Sequence, residues 1–179
     1  MGGATPASRR ILYPERVTEL IRPATINDAS ALGALHMACW REAYASHLSA
    51  EFLARATPQS SGERWAQTIA RLNDDGTALP LVAECDGALL GFAMGGAPRG
   101  EIAPRETELY ALYTRASTHG TGLGQRLFDT AIGGQPAFLW VLDRNPRATA
   151  FYQRNGFRFD GATETMPDFE NQLERRMVR

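Results

Sequence analysis

Long apolar runs are absent from this 179-residue chain, and nothing in it approaches the stretch of about 20 residues that a membrane-spanning helix needs. No membrane partner is expected. Cysteine is scarce: Cys39 and Cys85 lie in apolar-patterned segments without metal-type spacing, so both read as buried reduced thiols. No metal site is expected. An excess of positive charge is missing too, since 19 Lys and Arg against 20 Asp and Glu leave a formal net charge of -1. That balance argues against the broad polyanion-binding surface of a nucleic-acid protein. The stretch Met1 to Arg10 holds two arginines with no apolar segment behind them, so no secretory signal is read and the cytoplasm is the expected compartment.

What is present suits one folded unit. A hydrophobic fraction of 44% and a charged fraction of 22% are those of an ordinary globular domain, long enough to close a core without staples. Residues 1–18, with their Gly, Ala, Ser and Pro, read as a flexible tail, and 19–179 as one domain without internal repeats.

Along the chain, Leu20 to Arg22 reads as a short strand, and Asn27 or Asp28 supplies an N-cap for a helix running to about Tyr44. Leu32, His36, Trp40 and Tyr44 recur at intervals of four and share one face of it, with His36 read as a satisfied, partly buried histidine. Ser49 precedes a short helix, Glu51 to Ala56. Pro58 interrupts the chain, and Ser60 with Glu63 has capping-box spacing for the next helix, which stops near Asn73 to Gly76. Leu79 to Cys85, the turn pair Asp86-Gly87 and Ala88 to Met94 form a hairpin. Gly95 to Pro104 is a loop leading into the strand Glu108 to Thr114. A helix over Gly122 to Ile132, a strand over Ala137 to Leu142 and a helix beginning at Pro146 and stopped by Gly156 follow. Phe157 to Asp160 and Glu174 to Val178 close the sheet. This alternation implies a mixed sheet covered by helices.

His119-Gly120-Thr121-Gly122-Leu123-Gly124 lies between a strand and a helix, where main-chain N–H groups can be aimed at a phosphate and the helix start adds its positive dipole end. A plain tight turn has the same composition. No Gly-Lys-Ser/Thr ending is present, so a Walker-type loop lacks its lysine and its magnesium ligand, and the turn comes too late for a dinucleotide fold. Glu108 to Thr114 followed by His119 to Gly124 and Gln125-Arg126-Leu127 resembles motif A of the GNAT acetyltransferases. Asn145, Ala148 and Ala150 to Phe157 resemble motif B, and Ile21 to Thr25 through Asp28 resembles the family's opening. His119 stands where the family usually has Gln or Arg.

The resemblance implies an α/β (α+β) GNAT fold, a mixed central sheet of six to seven strands flanked by helices, with acetyl-CoA (coenzyme A) as cofactor. It places the cofactor on the strand backbone of Leu112, Tyr113 and Thr114 and on the loop His119, Gly120, Thr121, Gly122, Leu123, Gly124 and Gln125. Asn145, Ala148, Phe151 and Tyr152 complete that set. Arg126, Arg147 and Arg154 are candidates for the adenosine phosphates. Tyr152 matches the tyrosine that protonates the departing thiolate. An ammonium has no lone pair to attack with, so a base is needed, and Glu108 lies at the offset where some members carry it. A strand-end carboxylate facing water is the alternative reading of Glu108, a water chain the alternative base, and Glu106 and Glu101 are further candidates. Trp40, Tyr44 and His47 fall on the acceptor side; Trp40 reads first as a core aromatic, and Tyr44 reads as either. The implied activity is transfer of an acetyl group to a primary amine of a small molecule or of a protein or peptide. A catalytically silent acyl-CoA sensor and a nucleotide-phosphate binder are the competing readings, and a homodimer fits the family.

Overall fold

The computed structural model describes residues 19–45, 48–100 and 103–179. The tail 1–18, His47 and Glu101 lie outside the described residues. Strands β1 (Leu20–Pro23), β2 (Leu81–Cys85), β3 (Ala88–Gly96) and β4 (Glu108–Thr114) form an antiparallel meander. Strand β5 (Phe138–Leu142) joins parallel to β4, and β7 (Gln172–Val178) and β6 (Arg158–Met166) follow antiparallel, giving one mixed seven-stranded sheet in the order β1-β2-β3-β4-β5-β7-β6. The expected fold class holds.

Helices α1 (Ala29–Tyr44), α2 (Ala50–Arg55) and α3 (Pro58–Asp74) separate β1 from β2. One sheet face is closed by α1 and α3, with Leu32, Leu35, Ile69, Val82 and Phe92 at its centre. The two helices cross where glycine meets glycine: a Cβ on Gly33 would stand 2.3 Å from the Gly62 backbone nitrogen. An added methyl there costs at least about 1–3 kcal/mol by overpacking. The opposite face carries α4 (Leu123–Ala131) and α5 (Pro146–Arg154), packed through Phe128, Leu139, Val141, Tyr152, Phe157 and Met177.

Several local expectations shift. Pro58 does not interrupt α3 but begins it, because a proline at the first helical position loses no needed N–H; Thr57 and Ser60, not Ser60 and Glu63, form the capping box. Asp28 flanks α1 without capping it, since its carboxylate is held by Arg22 at 2.8 Å. Strand β6 runs on to Met166, drawn out by pairing with β7. Cys39 is buried, whereas Cys85, at the strand end before the exposed Asp86-Gly87 turn, is only half-buried; both are free.

The seam between β4 and β5 positions the site. These strands pair only at Glu108 with Phe138 and Leu109 with Leu139. Beside that pairing, the β3–β4 register slips so that Ala111 faces Met94 and Leu109 faces Gly95, leaving Tyr110 as the extra residue of a bulge. A bulge bends its strand and raises the local twist, so β4 and β5 diverge beyond the pairs.

Candidate active site

In the gap between the diverging strands lies a cavity of about 590 Å3. Its strand wall is Leu112, Tyr113 and Thr114; α5 contributes Asn145 (its N-cap), Ala148, Phe151 and Tyr152, and His119, Gly120, Gly122, Gly124 and Gln125 close one end. Two residues expected in this set behave differently. Leu123 is buried in the core with Ala83, Ala93 and Leu127. The Thr121 hydroxyl donates to Thr118 O at 2.8 Å and accepts from the Leu123 N–H at 3.3 Å, so it fastens the loop from within.

Gly120 and Gly122 both have φ of +85°, a left-handed conformation that side chains resist. Their N–H groups find no acceptor among the described residues. With the unpaired N–H groups of the first turn of α4, they make a main-chain anion cradle. The Gln125 side chain is committed elsewhere, exchanging hydrogen bonds of 2.7 and 3.1 Å with Asn155. Asn145 likewise spends its Oδ1 on the Ala148 N–H at 3.1 Å, as the cap of α5.

Arg144, Arg147 and Arg154 supply the cavity's cationic wall. Arg126 instead holds Glu19 at 2.6 Å, outside it. Partial burial and the charge of Arg147 lower the pKa of the exposed His119. Glu42, on α1, escapes a sequence reading because its partners lie far along the chain: it accepts from Arg115 Nε at 2.8 Å and from the Ala116 N–H at 2.7 Å. Burial alone would raise its carboxyl, but these two bonds carry it below the usual range. Glu42 thereby ties the loop to α1. Cys39 also lines the wall, and burial pushes its thiol up to about 12, far from a thiolate.

Tyrosines gather at the inner end. Tyr152 is 8% exposed, and the Tyr44 and Tyr113 hydroxyls are 3.1 Å apart. Burial raises all three phenols, with mutual repulsion adding for Tyr44 and Tyr152, so each stays protonated and able to donate. Trp40 borders neither this cavity nor the next, stacking edge-on against Phe169 at 4.9 Å. His36, as expected, is a satisfied histidine: its Nδ1 accepts from Trp65 Nε1 at 3.3 Å, and burial lowers its pKa to about 4.

Glu108 sits across the seam in a second cavity of about 440 Å3, with Trp140, Glu164, Met166, Glu174 and Arg176. It is 2% exposed and bound by Arg99, whose Nη2 stands 2.5 Å from Oε1 and whose backbone N–H stands 2.9 Å from Oε2. Glu106 is exposed and borders neither cavity. Among the described residues no group of His, Cys, Asp and Glu can hold a metal ion, and no helix is long and apolar enough to cross a membrane.

Comparison with known proteins agrees with this architecture. The sequence model of the acetyltransferase (GNAT) family matches residues 31–157, and the chain belongs to that family. A probable N-acetyltransferase of Mycobacterium tuberculosis is 29% identical over 151 residues, 81% of this chain and 83% of that protein. An uncharacterized N-acetyltransferase of Bacillus subtilis is 24% identical over 139 residues, 74% of this chain and 76% of the other. In fold, the chain is similar to the PaiA N-acetyltransferase of Thermoplasma acidophilum, solved in complex with coenzyme A. The TM-score is 0.70 at 22% identity over 90% of this chain and 99% of that one. Membership brings the activity class, N-acetyltransferase, and the acyl donor, acetyl-CoA. The first cavity fits that donor: unpaired N–H groups for a diphosphate, arginines for further phosphate, and the apolar Leu112, Ala148 and Phe151 for the arm between.

Proposed function

We propose that this protein transfers the acetyl group of acetyl-CoA to a primary amine, of a small molecule or of a peptide, by direct attack of the amine on the thioester. The observation that carries this is the seam itself: a cavity with an N–H cradle at one end and buried phenols at the other, and a second cavity lined with carboxylates and Trp140. Acetyl-CoA, when bound, supplies a thioester carbon open to a nitrogen lone pair and a thiolate leaving group. The protein's residues do the rest. Gly120 and Gly122 offer N–H groups to the diphosphate, and Arg144, Arg147 and Arg154 complement its charge. Leu112 and Thr114 present strand backbone to the pantetheine arm. Tyr152 Oη, held protonated, donates to the sulfur as charge develops there. The second cavity receives the acceptor, with Tyr44 at the junction. Reduced, unpaired cysteines suit a cytoplasmic setting.

One observation favours a second reading, a silent acyl-CoA sensor: the carboxylate oxygens of Glu108 are both committed to Arg99. One experiment separates the two. Free thiol released from acetyl-CoA is followed with a panel of spermidine, an aliphatic monoamine, an amino acid amide and a peptide with a free N-terminus. Amine-dependent release supports transfer. Stabilisation by acetyl-CoA without release for any amine supports the sensor.

A further inference from the structure

Two carboxylates border the seam, and they are held differently. Both oxygens of Glu108 are engaged, Oε1 by Arg99 Nε and Nη2 and Oε2 by the Arg99 backbone N–H. Glu174 has no such engagement: its carboxylate receives no hydrogen bond from any described residue. On β7 it lies opposite Leu142 of β5 and Glu164 of β6, and directly opposite residues point to one face. That face carries the second cavity, which Glu174 lines. Leu142 packs with Tyr44 and Tyr113, whose side chains line the first cavity. Glu174 therefore lies in the wall of the second cavity, opposite a residue that belongs to the cluster holding Tyr44 and Tyr113.

We propose that Glu174 receives the proton of the acceptor amine within the second cavity, whose wall it forms, while Glu108 serves to fix Arg99. This rests on the acetyl-transfer reading above. The charge of Glu174 reaches the phenols of Tyr44 and Tyr113 and helps to hold them protonated. Burial raises the Glu174 carboxyl above its usual range; Glu164 on β6 and Glu108 on β4 raise it further, and Arg99 opposes them. Arg176, on the same strand, is paired with Asp160 at 2.8 Å. A carboxylate moved toward the working pH is the better base. The balance closes: the C–N bond forms as the C–S bond breaks, and an ammonium acceptor gives up two protons. One passes to Glu174 and then to water. The other ends on the thiol through Tyr152 Oη.

The test is the pH profile of kcat/KM, with the best amine of the panel, for the unaltered protein, Glu174→Gln, Glu174→Asp and Glu108→Gln, alongside acetyl-CoA affinity and thermal melting. The unaltered protein is expected to show an acid limb above the ordinary carboxylate range. Glu174→Gln is expected to abolish that limb and lower kcat/KM about 100-fold, with acetyl-CoA affinity and melting unchanged. Glu174→Asp restores the limb in part, and Glu108→Gln retains it. A limb that survives in Glu174→Gln, or vanishes only in Glu108→Gln, overturns the proposal. Should no amine be acetylated although acetyl-CoA binds, the transfer reading fails first. Carboxyl carbon NMR of the CoA-bound protein tests Glu174 independently of turnover: titration above the other glutamates supports its part in the proposal, and titration with them overturns it.

Discussion

The two cavities along the β4–β5 seam are made of different materials. The first combines side chains with a main-chain part that the second lacks: left-handed glycines, the start of α4 and the strand beside Leu112, alongside Arg144, Arg147 and Arg154. The second takes its polar groups from side chains carried by four separate segments: Arg99 after β3, Glu108 on β4, Trp140 on β5, and Glu164, Glu174 and Arg176 on the closing hairpin. Main-chain recognition fixes one ligand shape and tolerates change around it. Side-chain recognition is rewritten by single substitutions. A shared acyl donor belongs in the first kind of site and a variable acceptor in the second.

That contrast breaks if variants on one side move the constants of the other. The largest effect is expected from Gly122→Val. A φ of +85° costs a side chain about 1–2 kcal/mol, so the turn must change shape to accept valine and its N–H groups lose their alignment; acetyl-CoA affinity should fall by ~10- to 30-fold while the fold persists. Calorimetric titration reads it. Next comes Tyr152→Phe, expected to lower kcat about 10-fold with acetyl-CoA affinity unaltered. An unchanged kcat would take Tyr152 out of the mechanism.

Trp140→Ala sharpens the contrast from the other side. Loss of an aromatic wall should raise the amine KM about 5-fold and leave acetyl-CoA binding alone. A shift in cofactor affinity instead would show that the two cavities are not separate sites. The smallest effect on either constant belongs to His36, whose ring stands 5.3 Å from that of Tyr113 behind the seam. Its folded pKa, about 4, lies below the unfolded value of about 6.5, so the unfolded chain binds more protons between them. Stability should therefore fall as pH drops through that window and level off beneath it. Urea melts across pH 7 to 4 should show this for the unaltered protein and lose it in His36→Gln.

How much could be read from the sequence follows the same division. Strand β4, the Asp86-Gly87 hairpin and the start of α5 at Pro146 were legible because turn residues and periodicity act locally. The glycine turn before α4 was legible for the same reason, since its glycines answer to backbone geometry. What escaped was set by partners far along the chain. Glu42 clamps the loop from α1, and Gly33 meets Gly62 at a helix crossing. Glu174 acquires its surroundings only when β7 inserts between β5 and β6, a placement that chain order alone does not give. Trp40 fell on the right helix, but its neighbours, not its spacing, turn it into core.

Backbone amide NMR shifts on adding coenzyme A test the central claim most directly. Gly120, Gly122 and Gly124 should move most, together with Leu112 and Thr114, while Trp140 and Glu174 stay nearly still. Saturating shifts confined to other surfaces, or none at all, would contradict the placement of the acyl donor in the seam.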